Sequence, residues 1–216
     1  MKRRTLDILF SIGGAGLAGL LLVMGIVMSS NANFSDDYVT DQLTQQKITF
    51  KAAATLTDEE KASPCLVEFA GQPLTTGKQA ECYANEFIGL HVKTSAGGKT
   101  YAELGDVQSG IRTQIAAAQT ANDPGLADLQ KQLADTTSQR ESVFKGETLR
   151  GILLTSYGFS VLGSKAGQAA TVVYLGAGLM LLLSLAGFAH AFATPKSQSF
   201  AAPERTDSTP AMAGRR

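Results

Sequence analysis

Gly14, Gly16 and Gly19 in the stretch SIGGAGLAGL fit G-x-G-x-x-G, the spacing that lets a tight turn carry a dinucleotide pyrophosphate onto a helix N-terminus. That chemistry needs a strand before the glycines, a helix after them and an acidic residue roughly 20 positions on. Here they lie inside an uncharged run from Ile8 to Met28, which removes the dinucleotide reading. SAGGKT at 95–100 invites a P-loop, but the pattern requires glycine where this chain has Lys93. A glycine turn ahead of a capped helix accounts for it.

Other reactive groupings are sparse. His91 and His190 are the two histidines, one on a helical stretch and one near the end of an apolar run, with no ligand cluster around either. There is no G-x-S-x-G elbow and no cysteine with a histidine signature. The expectation is therefore no catalytic, cofactor-binding or metal residue, and no enzyme. Cys65 and Cys82, 17 positions apart, are the only cysteines, and a disulfide between them would contribute roughly 3 kcal/mol in the chain-entropy model. Two free thiols or half a metal site are the alternatives.

The elements that must position these residues are set by a segregated composition. Mean hydropathy is only +0.03 with 44% hydrophobic residues, yet two runs are almost free of charge, 8–29 and 168–193. Each matches the roughly 20 residues that cross a hydrocarbon core. The first follows MKRR and so resembles a signal peptide, but signal h-regions run about 7 to 15 residues, and the longer run reads as an uncleaved anchor.

Lys2, Arg3 and Arg4 precede the first run, and Lys196, Arg205, Arg215 and Arg216 follow the second. Residues 30–168 hold 12 Lys/Arg against 16 Asp/Glu. The positive-inside rule then places residues 1–7 and the tail 194–216 in the cytoplasm and the middle outside, in the plasma membrane of a two-span protein. An oxidising exterior is where a Cys65–Cys82 bridge would persist. The tail, rich in Pro, Ser, Thr and Ala, reads as disordered when alone.

The middle region, 30–145, reads as a helical domain without period-two alternation. Ser35, Asp36 and Asp37 are candidate caps for a helix carrying Tyr38, Val39, Leu43 and Ile48. Thr57 with Glu60, and Thr100 with Glu103, form capping boxes. Pro64 opens a short helix and Gly71 stops it. Ala80, Tyr83, Ala84, Phe87, Ile88 and His91 mark one face of a further helix that contains Cys82. A bridge from Cys82 to Cys65 makes a stapled helical hairpin. Two more helices, Tyr101 to Ala121 and Leu126 to Lys145, flank NDPG, with a stripe of Leu126, Leu129 and Leu133 that decays into Thr136 and Arg140. Residues 146–167 are apolar but edged by Glu147, Arg150 and Lys165, which suits an amphipathic helix on the membrane surface or against a neighbouring membrane protein.

The fold class is thus an all-α membrane protein, two transmembrane helices flanking a disulfide-stapled extracytoplasmic helical domain. Ser11, Ala15 and Gly19 recur every four residues, as do Gly14 and Ala18, giving small faces for close helix approach. Gly176, Ser184 and Gly187 repeat the texture in the second run. This points to a structural subunit packed on other integral membrane proteins and on lipid, with neither nucleic acid nor a small-molecule substrate. The layout of span, outer domain and span also fits an extracytoplasmic sensor or adaptor, which would have to signal through a separate partner because only about 22 residues follow the second run.

Four segments, YVTDQLTQQKITF, AGQPLTTGKQAECYANEFIGLHV, GGKTYAEL and FKGETLRGILLTSYGFSVLG, together with both apolar runs, carry a resemblance. The chain resembles a family of small two-span actinobacterial membrane proteins, among them accessory subunits of the respiratory supercomplex. The resemblance implies a non-catalytic subunit attached to cytochrome bcc and cytochrome aa3 oxidase, which pass electrons from menaquinol to oxygen. It implies no haem in this chain, in keeping with the missing C-x-x-C-H.

Overall fold

The structure is a computed structural model, and it describes residues 3–195. Lys2, Lys196, Arg205, Arg215, Arg216 and the rest of the expected tail lie outside the described residues. The chain divides into two units, Met1–Ser29 with Gln168–Arg216, and Ser30–Gly167.

Among the described residues the protein is helical, with one isolated antiparallel bridge between Thr49 and Pro73. Seven α-helices are α1 (Arg3–Gln45), α2 (Asp58–Lys61), α3 (Pro64–Glu68), α4 (Gly77–Cys82), α5 (Gly89–Ser95), α6 (Tyr101–Ala121) and α7 (Leu126–Ala193). A π-helical segment, Tyr83–Ile88, joins α4 to α5, and a 3-10 turn covers Ala53–Thr55.

The length of α1 and α7 follows from where the breakers fall. No proline occurs within either, α7 lies between Pro124 and Pro195, and α1 ends just before Lys47, whose φ is 52°. Both helices are long and apolar enough to cross a membrane. Two expected boundaries disappear. Ser35 caps nothing, because α1 runs through it; its hydroxyl donates instead to the Phe159 carbonyl at 2.8 Å. Residues 146–167 are no separate amphipathic helix either, but the middle of α7. Their glycines do not break the winding because the segment is held sideways: a side chain on Gly146 would run into Val92, and Leu153 is buried in the core of this unit.

The unit Ser30–Gly167 has its core in Val39, Leu43, Phe50, Leu66, Leu74, Ala80, Ala84 and Leu153. Cys65 and Cys82 are disulfide-bonded, with Cα atoms 6.0 Å apart, and the bond ties α3 to the end of α4. The capping boxes at Thr57–Glu60 and Thr100–Glu103 are formed, a third joins Thr76 and Gln79, and Pro64 occupies the first turn of α3. Gly97 and Gly98, at φ 59° and 80°, make the turn before α6 that glycine alone takes easily. Asn122 ends α6 in the left-handed conformation, and Asp123 Oδ1 accepts from Gly125 N at 2.7 Å to close the hairpin into α7.

Along that hairpin the apolar stripe gives way to polar contacts. Gln108 donates to Thr137 at 2.7 Å and accepts from Arg140 at 2.9 Å, while the Arg140 guanidinium lies 4.1 Å from the Tyr101 ring centroid. The stripe that decays at Thr136 and Arg140 in sequence therefore continues as a hydrogen-bonded seam.

In the unit containing residues 3–29 and 168–195, the first part of α1 and the last part of α7 run antiparallel. Gly14 faces Ser184, Gly187 faces Ser11, and Gly25 lies under the Tyr174 ring.

Candidate functional site

Three places hold residues arranged for a role: the packing seam of the apolar helices, a buried carboxylate in the helical unit, and a cleft beside it.

The seam repeats every seven residues. Ser11, Ala18 and Gly25 are buried on α1, and Ala170, Ala177, Ser184 and Ala191 on α7. Positions seven apart on an α-helix drift by only about 20°, so one edge stays against its partner over many turns. Positions eight apart, such as Ser11 and Gly19, are about 80° apart at 100° per residue. That difference sorts the expected packing residues. Ser11, Gly14, Ser184 and Gly187 meet across the seam, Ala18 is buried, a side chain built on Gly176 would start 3.9 Å from Leu21, and Ala15 is half-buried. Gly19 is exposed, with nothing within 4 Å of where its side chain would start. Gly25, Ala170, Ala177 and Ala191 are members of the seam that a four-residue search does not find, although their seven-residue interval is present in the sequence.

At one end of the seam, Asp7 Oδ2 stands 3.9 Å from His190 Nε2. The Arg4 guanidinium lies 5.7 Å from the Phe192 ring centroid nearby. His190 on α7 thus stands opposite Asp7 on α1, with no hydrogen bond between them.

The buried carboxylate is Glu60, whose side chain is wholly inaccessible. Its Oε1 accepts from Lys51 Nζ at 2.7 Å and its Oε2 from the Thr57 backbone N–H at 2.8 Å. The Lys51 hydrogen bond holds its carboxyl below the usual carboxylate range, burial pulls the other way, and the Thr57 N–H adds to the lowering. His91 Nε2 faces Oε1 at 3.6 Å. An aromatic ladder stands beside the pair: Phe69 on Phe50, Phe50 on Tyr83, Tyr83 on Phe87 and Phe87 on His91, with ring centroids 4.4 to 5.6 Å apart. Burial in this ladder pushes the Tyr83 phenol up. The Thr57–Glu60 capping box is legible in sequence; the convergence of Lys51 and His91 on it is not, because it depends on how the π-helical segment winds.

An open cleft of about 900 Å³ runs alongside. Glu59 and Ser63 line one wall, and Glu86, Gly89 and Lys93 the other. Arg150 reaches into its lining, with Nη2 donating to Asn85 Oδ1 at 3.2 Å. No known protein family, no curated protein and no solved structure matches the chain.

Proposed function

We propose that the chain is a non-catalytic accessory or assembly subunit of a membrane complex. In this reading α1 and α7 cross the membrane, both termini are cytoplasmic, and residues 30–167 lie outside. The observation that carries it is how the helix pair distributes its side chains. Small residues turn inward on each other, while Phe10, Leu20, Val23, Leu175, Leu182 and Phe192 are among the large apolar side chains turned outward. Apolar surface of this extent is unfavourable in water at about 25 cal/mol per Å². Lipid and the helices of neighbouring subunits are the surroundings that suit it. The disulfide supports the outward placement of its unit, since such bonds persist in oxidising compartments.

The complex this reading favours is the actinobacterial respiratory supercomplex, a menaquinol:oxygen oxidoreductase built on cytochrome bcc and cytochrome aa3 oxidase. Its support is the resemblance of the four segments to the accessory subunits called prokaryotic respiratory supercomplex association factors. Blue-native electrophoresis of solubilised membranes tests it. Co-migration with the oxidase, and loss of the large assembly in a deletion strain, are expected; migration only as a small free species with normal oxidase assembly overturns it.

A sensor or adaptor that signals through a separate partner is the second reading. The cleft bounded by Glu59, Ser63, Glu86 and Lys93 favours it, because its mixed charges offer both donors and acceptors to a polar ligand.

A further inference from the structure

His91 and Glu60 face each other beside the cleft, one from each of two helices whose neighbouring residues line it. Glu60 stands beside Glu59 on the α2 wall, and His91 lies on α5 between the cleft residues Leu90 and Val92. The geometry between them depends on a proton. His91 Nδ1 is 2.8 Å from the Phe87 carbonyl oxygen, and a carbonyl only accepts, so Nδ1 carries the hydrogen. In the neutral ring Nε2 is then a bare acceptor. It faces a second acceptor, Glu60 Oε1, at 3.6 Å, with no hydrogen between them.

A further proton turns Nε2 into a charged donor already aimed at a carboxylate. Half the His91 side chain is open to solvent, so the proton exchanges with bulk water, whereas the Glu60 side chain is wholly buried. The other groups on Glu60 are Lys51, which occupies the same oxygen, and the Thr57 N–H. Lys51 also stands 5.2 Å from the Phe87 ring centroid, against which His91 packs at 4.4 Å. The remaining charged residues of α2 are Asp58, Glu59 and Lys61, with Lys61 on Asp58 at 3.5 Å; on α5 the other is Lys93.

We propose that His91 is a proton-operated latch that draws the α5 wall of the cleft onto the α2 wall when the ring is charged. The device responds to acidification of the compartment this unit faces. It narrows the cleft without any ligand, and it does not depend on which complex the chain joins. α5 follows directly on a π-helical segment, a feature found frequently at functional sites.

The test uses the full chain in lipid nanodiscs with the native disulfide intact. Spin labels on Glu59→Cys and Lys93→Cys, one on each wall, report the distance distribution by electron paramagnetic resonance. Between about pH 8 and about pH 5, the range in which histidine changes charge, the short-distance population should rise about fivefold, as for one charge-assisted hydrogen bond partly open to water. His91→Phe should hold the long distance at both pH values, and Lys51→Met, which leaves His91 as the sole cation on Glu60, should enlarge the response. Circular dichroism and an intact disulfide check that each variant is folded. A pH response that persists undiminished in folded His91→Phe, or no response in the parent chain, overturns the latch.

Discussion

A side chain built on Gly14 would start 3.8 Å from the Cβ of Ser184, and one on Gly187 3.6 Å from the Cβ of Ser11. Disulfides have Cβ atoms about 3.8 Å apart. Gly14→Cys with Ser184→Cys should therefore cross-link within one chain under mild oxidation, as should Ser11→Cys with Gly187→Cys. Gly19→Cys with Ser184→Cys should not, since Gly19 points away from the seam. Peptide mapping without reductant reads the outcome, and cross-links found only between copies would refute the antiparallel register.

Gly25 offers a steric test of the same seam. Its missing side chain would meet Tyr174 ring atoms at 2.6 to 2.9 Å, and Tyr174 Oη accepts from Ser29 at 3.3 Å. Gly25→Leu should push the helices apart at a cost of about 1–3 kcal/mol. The measurable consequence is a severalfold slower Gly14–Ser184 cross-link in that background; an unchanged rate would show that the ring moves aside freely.

Removing the Cys65–Cys82 bond should lower the stability of the helical unit by roughly 3 kcal/mol, the chain-entropy value for a loop of this size. Thermal unfolding of Cys65→Ser/Cys82→Ser beside the parent protein gives the number. Alkylation of both thiols in membrane-extracted protein without reductant would contradict both the bond and the outward placement.

Lys51→Met should sensitise the protein to acid. A carboxyl held below the ordinary glutamate value near 4.5 contributes stability that is complete above that value and is lost as pH falls below it. Without its main cation Glu60 loses most of this shift, so acid unfolding should begin at higher pH. The loss at neutral pH should be about 2 kcal/mol, less than for a fully buried pair because just over a third of the Lys51 side chain meets solvent. Denaturant titrations at neutral and acidic pH separate the two effects.

Arg140→Ala removes a hydrogen bond to Gln108, another to the Tyr101 carbonyl at 3.3 Å and the stack on the Tyr101 ring. A loss of about 1–2 kcal/mol is expected, seen as faster amide exchange along α6. Equal exchange in variant and parent would mean that the polar seam holds nothing.

Legibility in sequence followed the range of the interaction. Thr57–Glu60, Thr100–Glu103, Pro64 and the NDPG turn act within a few residues, and each forms as its spacing predicts. The Cys65–Cys82 pairing was readable because no other cysteine competes. What escaped were groups meeting from distant segments. Lys51 and His91 converge on Glu60 only after the chain doubles back, and Arg140 looks like the end of a stripe until Gln108 is opposite it. Ser35 reads as a cap by type, but tertiary contact with Phe159 overrides that preference. A four-residue interval passes through Ser11 and Gly14 and leads around the helix to Gly19, whereas the seam within the chain follows the seven-residue interval.

The seven-residue interval also has a consequence for how this lineage can change. Leu, Ile, Val and Phe on the outward faces are interchangeable against an apolar neighbour, so drift can rewrite them freely. Positions 11, 18 and 25 and 170, 177, 184 and 191 are all glycine, alanine or serine and all buried, where a larger side chain would force the helices apart. Distant kin with little overall identity should keep that beat of small residues, and it is the thread by which their common descent can be traced.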